Sequence, residues 1–174
     1  MRWIKRITLG LVVLLILIFF VAWLRGNFLP VHHATTVAAD LNAPPEKVWQ
    51  LITTVSAQPT WRTGLISIEP LAPESGKEHW REHLAHNQTM DFIADETVPT
   101  TRRVVRLDLP NGSYTGSWIY ELTPGATSST THITITEDGN IYPAIYRTLM
   151  HDVIGMKSNL NQYLSDLQKA TAKP

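Results

Sequence analysis

The chain has 174 residues, 44% of them hydrophobic and 17% charged, which is enough for one domain with its own core plus an appendage. Its 15 basic and 15 acidic residues balance, but Arg2, Lys5, Arg6 and Arg25 all precede the first acidic residue, Asp40; without those four, 11 basic residues face 15 acidic ones, a charge of about −4 on the remainder. A mildly acidic body with no basic stripe is a poor partner for nucleic acid, and the absence of cysteine excludes disulfide frameworks, thiolate metal sites and cysteine nucleophiles.

From Ile7 to Leu24 (ITLGLVVLLILIFFVAWL) the only polar side chain is Thr8. About 20 apolar residues cross a bilayer core. Trp3 and Trp23 stand at the two ends, where indole rings favour the interface. A cleaved signal peptide has an apolar region of only about 7–15 residues, followed closely by a small-x-small site. Val21-Ala22-Trp23 ends in a residue unsuited to cleavage, and Val37-Ala38-Ala39 lies well beyond the run. Residues 1–25 therefore read as an uncleaved transmembrane anchor. Arg2, Lys5 and Arg6 before the span outweigh Arg25 after it, which predicts a single pass through the cytoplasmic (inner) membrane with the amino terminus in the cytoplasm. The remainder is then expected in the periplasm or outside the cell. Residues 26–35, with Pro30 and the pair His32-His33, read as a linker.

The body begins with a short strand, in which Val37, Ala39 and Leu41 alternate with polar or small neighbours. Asn42, Pro44, Pro45 and Glu46 then form a helix start, and Val48, Trp49, Leu51 and Ile52 supply the buried side. Ser56 to Thr63 reads as a second short helical segment. From Gly64 the apolar period becomes two. Leu65–Leu71, Glu78–Leu84, Met90–Val98, Arg102–Leu109, Tyr114–Leu122 and Thr130–Glu137 read as strands separated by tight turns, Asn111-Gly112 being the strongest hairpin signal. Tyr142 to Lys169 returns to helical spacing, with Ile145, Leu149, Val153, Met156, Leu160, Tyr163, Leu164 and Leu167 on one stripe. The prediction is an α+β domain at residues 36–170: a curved antiparallel sheet wrapped around one long C-terminal helix, with two short helices after the first strand.

That order, together with Ala43-Pro44, Glu46, Val48-Trp49, Leu51-Ile52, Pro59 and Trp61, and with Gly116-x-Trp118-x-Tyr120-x-Leu122-x-Pro124 and THITITEDG over Thr131–Gly139, carries a resemblance. The chain resembles the helix-grip fold of the START/Bet v 1-like (SRPBCC) superfamily, in particular its polyketide cyclase/dehydrase and lipid-transport branch. The resemblance implies a lipid or other apolar small molecule held between sheet and helix; some members are cyclases, dehydratases or hydrolases. The anchor lies outside the family pattern.

Alternation turns Trp61, Trp80, Met90, Phe92, Trp118 and Tyr120 inward, and the helix adds Ile145, Leu149, Val153 and Met156. These residues serve equally as core or as the lining of a ligand cavity. Glu82, Glu96 and Arg103 fall on the same inward faces and are the nominees for acid, base or head-group contacts. His79, His83 and His86 sit on a strand and loop, where their spacing does not converge on one ion, so no metal is expected. No P-loop, dinucleotide fingerprint, G-x-S-x-G or H-E-x-x-H occurs. With no recognisable catalytic constellation and no cofactor expected, the sequence favours a membrane-anchored binding domain, with a cyclase/dehydratase-type enzyme as the alternative; it identifies no protein partner.

Overall fold

The computed structural model describes residues 2–109 and 111–172, so residue 1 of the expected anchor lies outside them. Helix α1 (Arg2–Asn27) is long and apolar enough to cross a membrane, and none of its apolar stretch is buried by the rest of the chain. Strand β1 spans His32–Leu41. It starts within the expected linker, which is therefore shorter than residues 26–35. The apolar alternation stops at Val37, but the backbone ladder does not: His32 to Leu41 pair one for one with Asn140 to Thr131 of β7 (Thr131–Ile141).

Helix α2 (Pro45–Thr53) opens on Pro45 with Glu46 in its first turn, and turns Val48 and Ile52 inward four residues apart. A 3-10 turn follows at Val55–Thr60. Strands β2 (Leu65–Pro70), β3 (His79–Leu84), β4 (Gln88–Val98), β5 (Arg102–Asp108) and β6 (Tyr114–Pro124) then run as an antiparallel meander into β7. The sheet order is β1-β7-β6-β5-β4-β3-β2. The first two strands thus form opposite edges, and α2 with the 3-10 turn bridges the full width between them. Thr131 Oγ1 donates to the Ala43 carbonyl at 2.7 Å, tying the start of β7 to the start of α2.

The sheet curves around α4 (Ser158–Thr171), whose Leu160, Tyr163, Leu164 and Leu167 are buried against Leu41, Ile133, Ile135 and Tyr120. Each such aliphatic side chain contributes about 1.5–3 kcal/mol by leaving water. The helix-grip architecture is therefore as expected, but its helix is not continuous from Tyr142. Helix α3 (Ala144–Thr148) passes into a π-helical turn (Leu149–Ile154), and the chain breaks at Gly155, where φ is 93°. A left-handed φ is open to glycine at little cost. The apolar stripe runs through this position without a gap, so periodicity alone reads one helix where the chain makes two.

Candidate functional site

Between the concave face of the sheet and α4 lies a cavity of about 420 Å³. That volume falls in the range of small-molecule sites, about 300–1,000 Å³. Most of the wall is apolar: Trp80 stacked on Phe92 with ring centroids 5.6 Å apart, then Met90, Val105, Leu107 and Trp118 from the strands, and Met156 beyond the break. Tyr163 stands at the centre of an aromatic group. Its ring is 5.4 Å from Trp61, 5.5 Å from Trp118 and 5.6 Å from Tyr120.

Polar groups gather in two places on this wall. In the first, Arg62 grips Glu82 with two parallel hydrogen bonds, Nη2 to Oε2 measuring 2.9 Å, and also donates to Gln58 Oε1 at 2.6 Å. Its guanidinium lies 5.2 Å from the Tyr163 ring centroid. Burial alone would lower the Arg62 pKa, but the adjacent Glu82 carboxylate outweighs it and holds the group above its ordinary value. Glu82 is only 2% exposed. Close by, Asp166 of α4 accepts from the Thr63 backbone N–H at 2.7 Å and its hydroxyl at 3.0 Å, fixing the loop before β2 to the helix.

The second group sits where β1, β6 and β7 lie side by side. Tyr114 Oη donates to Glu137 Oε1 at 2.7 Å, and His33 Nε2 lies 3.5 Å from the same oxygen. Among the described residues, buried His33 Nδ1 has no hydrogen-bond partner. Burial first, and the Glu137 carboxylate second, push the Tyr114 phenol far up, so it stays a hydrogen-bond donor. Gly116 and Gly139 face each other across β6 and β7, and the Tyr114 hydroxyl lies over both, in space that side chains there would occupy.

Burial pushes the Tyr163 phenol up to about 12, while Arg62 beside it pulls the other way. The neighbouring Tyr120 hydroxyl also favours the ionised form of Tyr163. The folded state holds this proton more tightly than the unfolded state, so the associated stability is present below about pH 10 and is lost as pH climbs toward 12. Tyr163→Phe is expected to flatten the fall of unfolding free energy between pH 10 and 12 by one proton's share, on the order of 1 kcal/mol per pH unit. Denaturant titrations across that range measure the slope; an unchanged slope would mean the phenol titrates alike folded and unfolded.

Of the residues nominated from sequence, Trp80, Met90, Phe92, Trp118, Tyr120, Leu149 and Met156 line the cavity. Trp61, Ile145 and Val153 do not. Trp61 backs Tyr163 from behind, Ile145 is half-buried on α3, and Val153 is 74% exposed because the break at Gly155 detaches its turn from the stripe on α4. Glu82 lines the cavity, but as the partner of Arg62. Arg103 faces inward beyond the cavity, its Nη2 donating to Glu78 at 2.7 Å and its guanidinium 5.6 Å from the Trp80 ring centroid. Glu96 points out and pairs with Arg102 at 3.3 Å. A bulge between Ala94 and Glu96 inserts one residue opposite β5 and reverses the alternation.

His33, Arg62, Tyr114, Glu137 and Tyr163 also line the cavity, though none was nominated for it. For three of them a signal existed. Two-residue steps back from Val37 reach His33, back from Trp118 reach Tyr114, and forward from Ile135 reach Glu137. Arg62 lies in a loop, where periodicity has nothing to say.

A family profile described as polyketide cyclase / dehydrase and lipid transport matches residues 32–170. No curated protein sequence matches the chain. Among solved structures, an aromatase/cyclase from a Streptomyces species superposes with a TM-score of 0.65 at 13% identity, covering 80% of this chain and 93% of its own. Truncated norcoclaurine synthase from Thalictrum flavum superposes with a TM-score of 0.65 at 8% identity, covering 83% and 96%. At such identities the likeness is one of fold.

Proposed function

The chain belongs to the polyketide cyclase/dehydrase and lipid-transport family, and from that premise we propose that it is a membrane-anchored binding domain that holds a lipid or other apolar small molecule between its sheet and α4. The observation that carries the reading is the open, largely apolar volume of about 420 Å³. Its wall offers polar handles at two places, the arrangement that orients an apolar ligand.

An uncleaved anchor is supported by the way α1 is fastened to the domain. Buried Arg147 donates from Nε to the Gly26 carbonyl at 2.9 Å and from Nη1 to the Ile141 carbonyl at 2.9 Å. Thr148 Oγ1 donates to the Ala22 carbonyl at 2.7 Å. Cleavage just after the apolar run would take the Ala22 acceptor from Thr148, and cleavage after Gly26 would also take one of the three carbonyl partners of buried Arg147. The basic residues before the span support an amino terminus in the cytoplasm and a domain on the far face.

Native mass spectrometry of the full chain released from lipid nanodiscs tests the binding reading. One apolar molecule per chain is expected with the wild type, and at least a tenfold lower occupancy with Met90→Trp, which fills the cavity. Empty wild-type protein, or equal occupancy in the two, overturns it.

A second reading, a cyclase/dehydratase-type enzyme, draws support from the Tyr114–Glu137–His33 group on the cavity wall. It predicts that Glu137→Gln changes the chemical form of the bound molecule, where simple binding predicts the same molecule from both proteins.

A further inference from the structure

The mouth of the cavity is built by the same segment that is fastened to α1. Tyr146, Leu149 and Met150 line the cavity, yet Tyr146 and Leu149 also remain exposed. Side chains that are both lining and exposed mark an opening. Immediately beyond them Val153 and Ile154 present bare aliphatic surface.

The direction of this segment is set by its contacts. Ala144 packs on Gly26, where any side chain would collide with the Ala144 backbone, and Thr148 bonds to the Ala22 carbonyl. Helix α3 therefore runs antiparallel to α1 and returns along it by one turn, about 6 Å at 1.5 Å per residue. The apolar run of α1 extends to Leu24, so Thr148 lies level with its last turn and the π-helical turn lies beside it. The charged groups there are already answered. Arg147 is held by carbonyls, and Arg25 pairs with Asp152 at 3.2 Å. The outward polar side chains form one cluster, in which Asp152 pairs with Arg25 and, at 2.6 Å, with His151. Beside it Tyr146, Leu149, Val153 and Ile154 face outward, the mixture of charged rim and apolar surface that a lipid interface accepts.

We infer that Ala144–Ile154 rests in the lipid interface around the end of α1, and that the cavity is loaded directly from that leaflet, with the acyl chain of a membrane lipid entering between the π-helical turn and the sheet. This rests on reading α1 as a membrane span. The occupant is a membrane lipid because the segment that builds the mouth packs along the end of α1, whose apolar stretch is unburied. The break at Gly155 separates the mouth from the packed helix α4, so the mouth can part without disturbing the core.

Photolabelling tests the inference. The full chain is placed in nanodiscs containing phosphatidylcholine with a diazirine on its acyl chain, irradiated, and mapped by peptide mass spectrometry. Adducts are expected on α1, on Leu149–Ile154, and on the β5 stretch carrying Val105 and Leu107 inside the cavity. Replacing Val153 and Ile154 together by Glu is expected to lower the cavity adducts at least tenfold and to leave those on α1 unchanged. Adducts on α1 with none on Leu149–Ile154 overturn the placement of the mouth while the anchor stands. A chain without α1 adducts removes the anchor itself. Cavity adducts that are absent while a molecule still co-purifies, or that persist undiminished in the double variant, overturn the membrane route and spare the binding reading. Disulfide-linked dimers of Val153→Cys in place of lipid adducts would assign this face to a second copy, and overturn the inference.

Discussion

Arg62→Met is expected to destabilise the folded domain by about 3–5 kcal/mol, because it leaves the Glu82 carboxylate buried with its counter-ion gone. Both carboxylate oxygens accept from Arg62 in the native protein, and the Trp80 indole N–H, at 3.5 Å, is too distant to replace it. The double replacement Arg62→Met with Glu82→Leu removes both charges and is expected to recover most of the loss, since a buried ion pair owes much of its apparent strength to the desolvation it must offset. Urea unfolding of the full chain in one detergent, across wild type, the two single variants and the double variant, gives the coupling. If Arg62→Met alone costs under about 1 kcal/mol, water reaches Glu82 and the pair is not the organising contact at this end of the cavity.

Leu160→Ala and Val153→Ala should differ sharply, although both residues belong to the one apolar stripe read from the sequence. Leu160 is 0% exposed and packs between α4 and the sheet, so its truncation is expected to cost about 2–5 kcal/mol. Val153 is mostly exposed on the π-helical turn, and its truncation is expected to stay within about 0.5 kcal/mol in detergent solution. The same unfolding experiment decides both. A large cost at Val153 would mean that the stripe is continuous in solution and that Gly155 does not interrupt it.

This contrast shows what periodicity can and cannot read. Spacing of apolar residues locates a helix face, and it located Leu160 and Val153 on the same one. A single glycine with left-handed backbone then separated them, and no property of the flanking side chains announces that event. The bulge before Glu96 is a parallel case in the sheet. Alternation predicted an inward carboxylate at Glu96 and one inserted residue turned it outward, while Glu137, two residues on from inward Ile135, lines the cavity beside Glu82 and Asp166.

Two local signals were strong enough to carry the architecture. The period-two segments from Leu65 to Glu137, with their turn residues, specified an antiparallel meander, and the amphipathic segment after it required that sheet as a partner. The amino-terminal run likewise declared itself by length and composition. Tertiary structure alone decided which polar groups meet. His33, Tyr114 and Glu137 come from three strands made adjacent by the return of β7 to β1, and Arg62 reaches Glu82 from a loop. It also decided that α3 folds back along α1 and sets the mouth of the cavity beside the apolar helix. The reason is physical. Local periodicity reports which face of an element is apolar, because that depends on residues a few positions apart. Convergence of distant faces depends on register, bulges and helix breaks, whose effects appear only when the elements pack.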